Sequence, residues 1–489
     1  MNTPLRRVAL AMMAMVVLLL ANITYIQAIK ADEYRKDPRN RRTMLAEYSR
    51  ERGKIIAGGL ALADVQPTEG QMKFRRVYLD GPLYAPVTGY YSQLYGAGGM
   101  ERAERDVLNG DADSLLVRRL SDLITGRDTR GGNVELTIDP RIQEAAYQAM
   151  TQKGFRGAVV ALDPKTGAIK AMVSTPSYDP NPLASHDAAE QKEAWERYTK
   201  DPANPMRNRA ISETYPPGST FKLVVTAAAL ENGYTKDSQL TAEANIILPG
   251  TRTGLENFNG KHCGSGATTS LEQALALSCN TAFAQLAGEL GETKLRAQAE
   301  KFGIGEQDLE IPLSVTASTL GDIPDRAALY QTGIGQRDVK LTPLQDAMIA
   351  AAIANRGVRM QPYLVQRITG PDLTVYDETD PEKAERVMSA ENARVLTEMM
   401  IKSEENTKGE GKIRGVTIAS KTGTAEHGVN PKETNPHAWY VAFAPAEDPK
   451  IAVAVIVESG GDRGLGATGG LVAAPVGRTV IRAALQGGG

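Results

Sequence analysis

Three short motifs carry groups that could do chemistry together. In Ser219-Thr220-Phe221-Lys222 a hydroxyl stands three residues before an amine. On a helix that spacing puts both side chains on one face. A serine hydroxyl is a poor nucleophile until a base takes its proton. A lysine serves as that base when burial or a nearby cation pulls its pKa from about 10.4 toward neutrality. Ser278-Cys279-Asn280 sets a second hydroxyl two residues from an amide. The hydroxyl can relay a proton and the amide can bind a carbonyl. Lys421-Thr422-Gly423-Thr424 supplies a second cation, two hydroxyls, and a glycine that lets a substrate backbone approach a strand edge. Lys421 would hold a carboxylate, and as a like charge it would depress the pKa of Lys222. Taken singly each motif is weak, since serine and asparagine are frequent helix caps.

The elements around these motifs follow from local pattern. Tyr215-Pro216-Pro217-Gly218 breaks the chain before Ser219, and the apolar run 223–230 stops at Gly233. The first motif therefore opens a helix, whose free N–H groups suit a developing oxyanion. The second fits a loop between helices, inside a long, mostly helical stretch with runs such as 271–286 and 344–353. The third stands at the end of a strand candidate, 416–420. Further strand candidates are 158–162 and 168–173, joined by Asp163-Pro164-Lys165-Thr166-Gly167 as a hairpin, then 439–444 and 451–458. A helical segment, 471–485, closes the chain. The pattern predicts an α+β fold: a five-stranded antiparallel sheet flanked by helices and split in sequence by a helical insert.

Upstream, Arg6 and Arg7 precede an uncharged stretch over residues 8–29. It is long enough to cross roughly 30 Å of hydrocarbon. It also exceeds the usual apolar length of a cleaved signal, and no Ala-x-Ala follows it. It reads as a single-pass transmembrane anchor after a cytoplasmic tail, residues 1–7. Lys30, Arg35, Lys36, Arg39, Arg41 and Arg42 outnumber Arg6 and Arg7. A bare count would put the long segment in the cytoplasm, but the rule loses force when one side is a large domain. Residues 30–152 are mixed: charged over 35–54, turn-rich over 81–99, helical in pattern over 101–123, with a strand at 134–138. A helix after Asp139-Pro140 carries Ile142, Ala145, Ala146 and Met150 on one face. This region reads as a small non-catalytic domain before a catalytic one at 157–485.

Composition removes other classes. Among 489 residues, 56 Lys and Arg against 58 Asp and Glu leave a net charge of −2, which argues against a general nucleic-acid binder. Hydrophobic content of 42% with 23% charged residues excludes wholesale disorder. Two cysteines and four histidines are too few and too scattered for a zinc module.

In their order, the three motifs resemble the penicillin-binding and serine β-lactamase superfamily. Gly333-Ile334-Gly335-Gln336, Leu341-Thr342-Pro343-Leu344-Gln345 and Asn355-Arg356-Gly357 extend the resemblance over 157–485. Upstream, Arg52-Gly53-Lys54-Ile55 and Tyr95-Gly96-x-x-Gly99-x-Glu101 resemble the non-catalytic domain of class B penicillin-binding proteins. Where that family usually continues Ile-x-Asp-Arg, this chain has Ile55-Ile56-Ala57-Gly58, and it is most similar to the actinobacterial members. The resemblance implies a D,D-transpeptidase that cross-links peptidoglycan, with Ser219 as nucleophile, Lys222 as base and Ser278 as proton relay. It implies substrate binding by Asn280, Lys421, Thr422, Gly423 and Thr424, and an oxyanion held by the N–H groups of Ser219 and Thr424. No metal or organic cofactor is implied. Implied partners are stem peptides ending in D-Ala-D-Ala, β-lactams that acylate Ser219, the cytoplasmic membrane, a separate membrane glycosyltransferase, and division or elongation proteins. The catalytic domain would then lie outside the cell membrane. A β-lactamase or D,D-carboxypeptidase shares the motifs, but no Glu-x-x-Leu-Asn element follows the second one. A non-catalytic β-lactam sensor is the remaining rival.

Other features are weighed and set aside. Gly464-x-Gly466-x-x-Gly469 lacks the acidic residue a dinucleotide site needs about 20 positions on, and reads as a loop. The stretch 254–261 has the wrong spacing for a phosphate loop. His427 and His437 read as rim histidines, with Lys222 already filling the role of base. Two readings of Cys263 and Cys279 stay open. One is a disulfide closing a loop of about 15 residues and worth roughly 3 kcal/mol; the other is two free thiols.

Overall fold

A computed structural model describes residues 2–30, 47–112, 115, 130–309, 311–428 and 433–486. The apolar amino terminus forms one helix, α1 (Asn2–Thr24), continued by a π-helical turn, Tyr25–Ile29. Within Thr3–Ile29 an 18-residue window has a mean hydropathy of 2.2 and none of it is buried, which matches a membrane span in length and composition.

Strands β1 (Ile55–Ala57), β2 (Leu60–Pro67), β3 (Phe74–Tyr78) and β4 (Asn133–Leu136) precede helix α2 (Pro140–Thr151). Strands β5 (Gly157–Leu162) and β6 (Ile169–Thr175) follow. Next come helices α3 (Lys222–Glu231), α4 (Leu271–Leu277), α5 (Asn280–Leu290) and α6 (Pro343–Ala354). A second run holds β7 (Val365–Thr369), β8 (Val375–Glu378), helix α7 (Ala390–Asn406) and strand β9 (Ala419–Ala425). The chain closes with β10 (His437–Ala444), β11 (Ile451–Val457) and α8 (Gly469–Gln486).

The central sheet has five strands in the order β9-β10-β11-β5-β6, all antiparallel. Every residue of β5, β10 and β11 is buried, which is why these strands read as unbroken apolar runs without alternation. Trp439, Val441 and Phe443 face the core shared with α3 and α6, while Tyr440, Ala442 and Ala444 face α2 and α8. A one-residue slip would exchange the two sets, so burial on both faces fixes the register. That register sets Lys421 opposite Val441 and Gly423 opposite Trp439.

The second sheet has six strands in the order β8-β7-β4-β1-β2-β3. It departs from the sequence reading. Strands β7 and β8 arrive from residues 365–378, so residues 30–152 do not make this unit alone. Conversely α2, read with the upstream region, buries Ile142, Ala146 and Met150 on the central sheet beside α8. An apolar stripe tells that a helix has a buried face but not which partner covers it. The turn-rich 81–99 contains a helix, Gly81–Thr88, and the pattern at 101–123 becomes Gly99–Ala103 and Arg105–Asn109. Residues 113–114 and 116–123 of that pattern lie outside the described residues.

The second unit buries an ion cluster. Glu101 accepts from Arg52 Nε at 2.8 Å and from Arg76 Nε at 2.6 Å, and the Tyr78 hydroxyl donates to it at 3.2 Å. Asn109 accepts a further Arg52 N–H. Burial alone would push the Glu101 carboxyl up; the two guanidiniums outweigh it and hold the carboxyl below its ordinary value.

Candidate active site

The nucleophile turn is built by its prolines and one glycine. Gly218 has φ +55°, and a Cβ there would lie 2.8 Å from Thr424 O. Its N–H donates to Gly335 O at 2.9 Å, and Trp439 Nε1 donates to Pro216 O at 3.0 Å. The chain then makes a 3-10 turn, Gly218–Phe221, and runs on as α3. Ser219 is half-buried on this turn. Among the described residues its hydroxyl has no hydrogen-bond partner.

Lys222 and Lys421 are both buried, and neither meets a carboxylate among the described residues. Lys222 Nζ donates to Ser278 O and to Asn280 Oδ1, both at 2.8 Å, with Ser278 Oγ at 3.5 Å. Lys421 Nζ donates to Ser278 Oγ at 2.8 Å and to Thr422 O at 2.9 Å. Ser278 thus stands between two amines. Burial pulls Lys222 well below the ordinary lysine range, and the Lys421 charge adds to it. Burial alone brings Lys421 down to about 7. A neutral amine has two N–H donors and one lone pair. The two 2.8 Å contacts use both donors of Lys222 and leave the lone pair for a proton.

The second motif is held in a conformation that costs energy. Ser278 has φ +62°, in the left-handed region that non-glycine residues seldom adopt. It breaks the run 271–286 into α4 and α5. Cys279 beside it is disulfide-bonded to Cys263, with Cα atoms 6.0 Å apart. Asn257 caps the next helix: its Oδ1 accepts from the N–H groups of Asn280 and Thr281, at 2.8 and 3.0 Å. Its Nδ2 donates to Glu243 O and Lys261 O. Sequence reasoning passed over this residue, because it lies in the stretch 254–261 that reads as an unremarked loop. A cap supplied from a distant segment leaves no local signal.

Two expectations need correction. The third motif stands within β9 rather than at the end of a strand, because pairing with β10 runs from Ala419 to Ala425. Gly423 does not leave its side-chain space to a substrate: a Cβ there would lie 2.7 Å from Pro217 O and 3.1 Å from Thr220 Cγ2. What it permits is the close approach of the nucleophile turn to β9. Because β9 is an edge strand, its outer side stays open to a further strand. The Asn280 amide is engaged as well, with Nδ2 donating to Glu256 O at 3.1 Å. Thr422 and Thr424 are half-buried on the same strand.

The histidines stand apart from this network. His427 and His437 stack at 3.7 Å, and His437 Nδ1 accepts from the Ser459 N–H at 3.1 Å. Burial, then His427, Lys340 and Arg156, push His437 down to about 3. It is neutral and already hydrogen-bonded, so it is no base for Ser219.

The comparisons with known proteins agree with this geometry. Residues 157–482 match the model of the penicillin-binding protein transpeptidase domain. Residues 52–134 match that of the penicillin-binding protein A dimerisation domain. The chain is 56% identical to the peptidoglycan D,D-transpeptidase PbpA of Mycolicibacterium smegmatis, covering 100% of both chains. It is 28% identical to the peptidoglycan D,D-transpeptidase MrdA of Haemophilus influenzae, covering 83% of this chain and 69% of that one. Among solved structures, a ceftriaxone acyl-enzyme complex of penicillin-binding protein A from M. tuberculosis superposes with a TM-score of 0.89 at 55% identity, covering 90% of this chain and 100% of that one. The penicillin G acyl-enzyme complex of the same protein superposes with a TM-score of 0.87 at 54% identity, with the same coverage.

Proposed function

This chain belongs to the class B penicillin-binding proteins, and on that premise we propose that it is a peptidoglycan D,D-transpeptidase working through an acyl-enzyme on Ser219. The observation that carries the reading is the pair of buried lysines that share one hydroxyl and have no acid between them. Lys222, neutral, takes the Ser219 proton. Ser219 Oγ attacks the carbonyl of the penultimate D-alanine of a stem peptide. The N–H groups of Ser219 and Thr424 hold the oxyanion; removing one such donor typically costs about 100- to 1000-fold in rate. The bond to the terminal D-alanine breaks, and Ser278 passes the proton from Lys222 to the departing amine. Lys421, Thr422 and Thr424 hold the terminal carboxylate, and Asn280 orients Lys222 while facing the peptide. An amine from a neighbouring stem peptide then attacks the ester and frees Ser219.

β-Lactams resemble the donor and acylate Ser219 in this reading, which the ceftriaxone and penicillin G acyl-enzyme complexes of the related penicillin-binding protein A support. The apolar helix α1 anchors the enzyme in the cytoplasmic membrane with its amino terminus inside, which keeps the catalytic domain beside lipid-linked precursors. A separate membrane glycosyltransferase and the division or elongation machinery are its working partners. Protease treatment of intact protoplasts tests the orientation: the catalytic domain is digested, and its protection would reverse the assignment.

Mass spectrometry after incubation with penicillin tests the chemistry. A stable adduct on Ser219 is expected, absent from a folded Ser219→Ala variant. No adduct, or one lost within seconds, would favour a hydrolase or a non-acylating homologue.

A further inference from the structure

Among the described residues, three acids are buried: Glu101, Glu404 and Asp346. Glu101 holds two arginines and Glu404 holds Arg478. Asp346 holds no cation. It lies on α6, all of whose residues are buried. Its Oδ2 is 2.8 Å from Thr220 Oγ1, and its Oδ1 has no hydrogen-bond partner. Thr220 follows Ser219 directly. Its hydroxyl is also 3.2 Å from Pro217 O, and its methyl packs where Gly423 has no side chain. One side chain therefore joins the nucleophile turn to β9, and Asp346 stands beneath it.

Counting protons restricts the ionisation of this group. Pro217 O can only accept, and the Thr220 hydroxyl has one proton to give. With Asp346 ionised, the hydroxyl faces two acceptors and can fill only one. With Asp346 protonated, it donates to Thr220 Oγ1, and the threonine proton goes to Pro217 O. Both contacts are then filled. Burial acts in the same direction and pushes the Asp346 carboxyl up to about 7, with the Thr220 hydrogen bond opposing it.

The packed elements bring no free charge to it. Strands β5 and β11 contain no titratable residue. From β10 come His437, kept neutral by burial, and Tyr440, which donates to Glu404. Glu404 on α7 is bound by Arg478. Arg209, on the short helix Arg209–Ser212, binds Glu458, and Arg359, on the strand Val358–Met360, binds Glu306. Lys222 and Lys421, beyond the turn, are taken up by Ser278 and Asn280.

We propose that Asp346 is a positioning residue for acylation: as a neutral carboxylic acid it donates to Thr220 Oγ1 and fixes the turn that presents Ser219 to Lys222. This rests on Ser219 being the nucleophile. When Asp346 ionises, it takes the threonine proton, Pro217 O is left with only the longer Thr220 N–H contact at 3.4 Å, and the turn loosens.

The test measures second-order acylation of the full chain by a fluorescent penicillin from pH 6 to 9, with thermal unfolding at each pH. Wild type is compared with Asp346→Asn and Asp346→Leu. Asparagine keeps an N–H for Thr220 and cannot ionise. Asp346→Asn is expected to match wild type within about twofold at pH 6 and to exceed it about fivefold by pH 8.5, the rate equivalent of one hydrogen bond. Asp346→Leu is expected to be about fivefold slower than Asp346→Asn at every pH. An acid whose folded pKa is raised contributes stability that is lost as pH rises through that value, here about 7. Across the tested range wild type should therefore lose stability relative to Asp346→Asn from pH 6 to about 7 and keep a constant offset above it, where folded and unfolded chains are both ionised. A wild-type to Asp346→Asn ratio that stays constant with pH, or leucine matching asparagine, overturns the proposal. Should the leucine variant not fold, the asparagine ratio decides alone. If wild type takes no penicillin, the nucleophile assignment falls, and the melting comparison still reads the proton on Asp346.

Discussion

The molecule buries two clusters of cations, and they are built on opposite terms. In the six-stranded unit Arg52 and Arg76 share Glu101, and every charge has a counter-charge within 2.8 Å. At the candidate active site Lys222 and Lys421 share only a neutral hydroxyl. Pairing holds the Glu101 carboxyl down and raises Arg52 despite burial, so both stay charged. Absence of pairing lets burial pull Lys222 well below its ordinary range and Lys421 down to about 7. A compensated buried charge keeps its ordinary ionisation and holds a fold together. An uncompensated one acquires a proton affinity close to the working pH, which is what a base requires.

Substitutions that break one cluster should leave the other intact. Lys222→Met removes a base together with a buried amine that has no counter-charge. Penicillin acylation should fall about 100- to 10,000-fold with the melting temperature unchanged or higher. Stopped-flow acylation and calorimetry check it, and a large loss of stability would place Lys222 with the structural charges.

Glu101→Gln should do the reverse. It strands two arginines and should cost about 3–5 kcal/mol of stability by urea denaturation, with the acylation rate of the folded fraction nearly unchanged.

The pH dependences share a sign, stability rising with pH in both, but fall in separate windows. Glu101 has a lowered pKa in the fold, so its contribution is present above about 4.3 and lost as pH falls through the folded value. For Lys421 the unfolded chain holds a proton between about pH 7 and 10.4 that the folded chain has released, so stability rises with pH across that window. Lys421→Met should flatten that rise by up to about 1.4 kcal/mol per pH unit, measured by unfolding at a series of pH values.

The smallest effect is expected at Asn257. Asn257→Ala removes the cap of α5 and should cost about 1 kcal/mol, with a few-fold loss of acylation from the loosened Asn280.

Much of the site was legible because it is local. The prolines before Ser219, the spacing to Lys222 and the interruption at Ser278 are all written within a few residues. The central sheet was legible too, since strands buried on both faces make long apolar runs. The boundaries between the two units were not. Strands β7 and β8 cross from residues 365–378 to pair with β4, and α2 crosses the other way onto the central sheet. Neither carries a mark of its destination. Asn257 and Asp346 were passed over for the same reason: each acts on a residue far along the chain, Asn257 on Asn280 and Asp346 on Thr220.

The sequence by itself determined which groups are present and how they are spaced along each element, because spacing and backbone preference are properties of neighbours. Only the tertiary structure decided which of those groups are charged. A proton's affinity depends on how much water is excluded and which charges stand within a few ångströms, and those are set by contacts between segments as distant as Lys222 and Lys421.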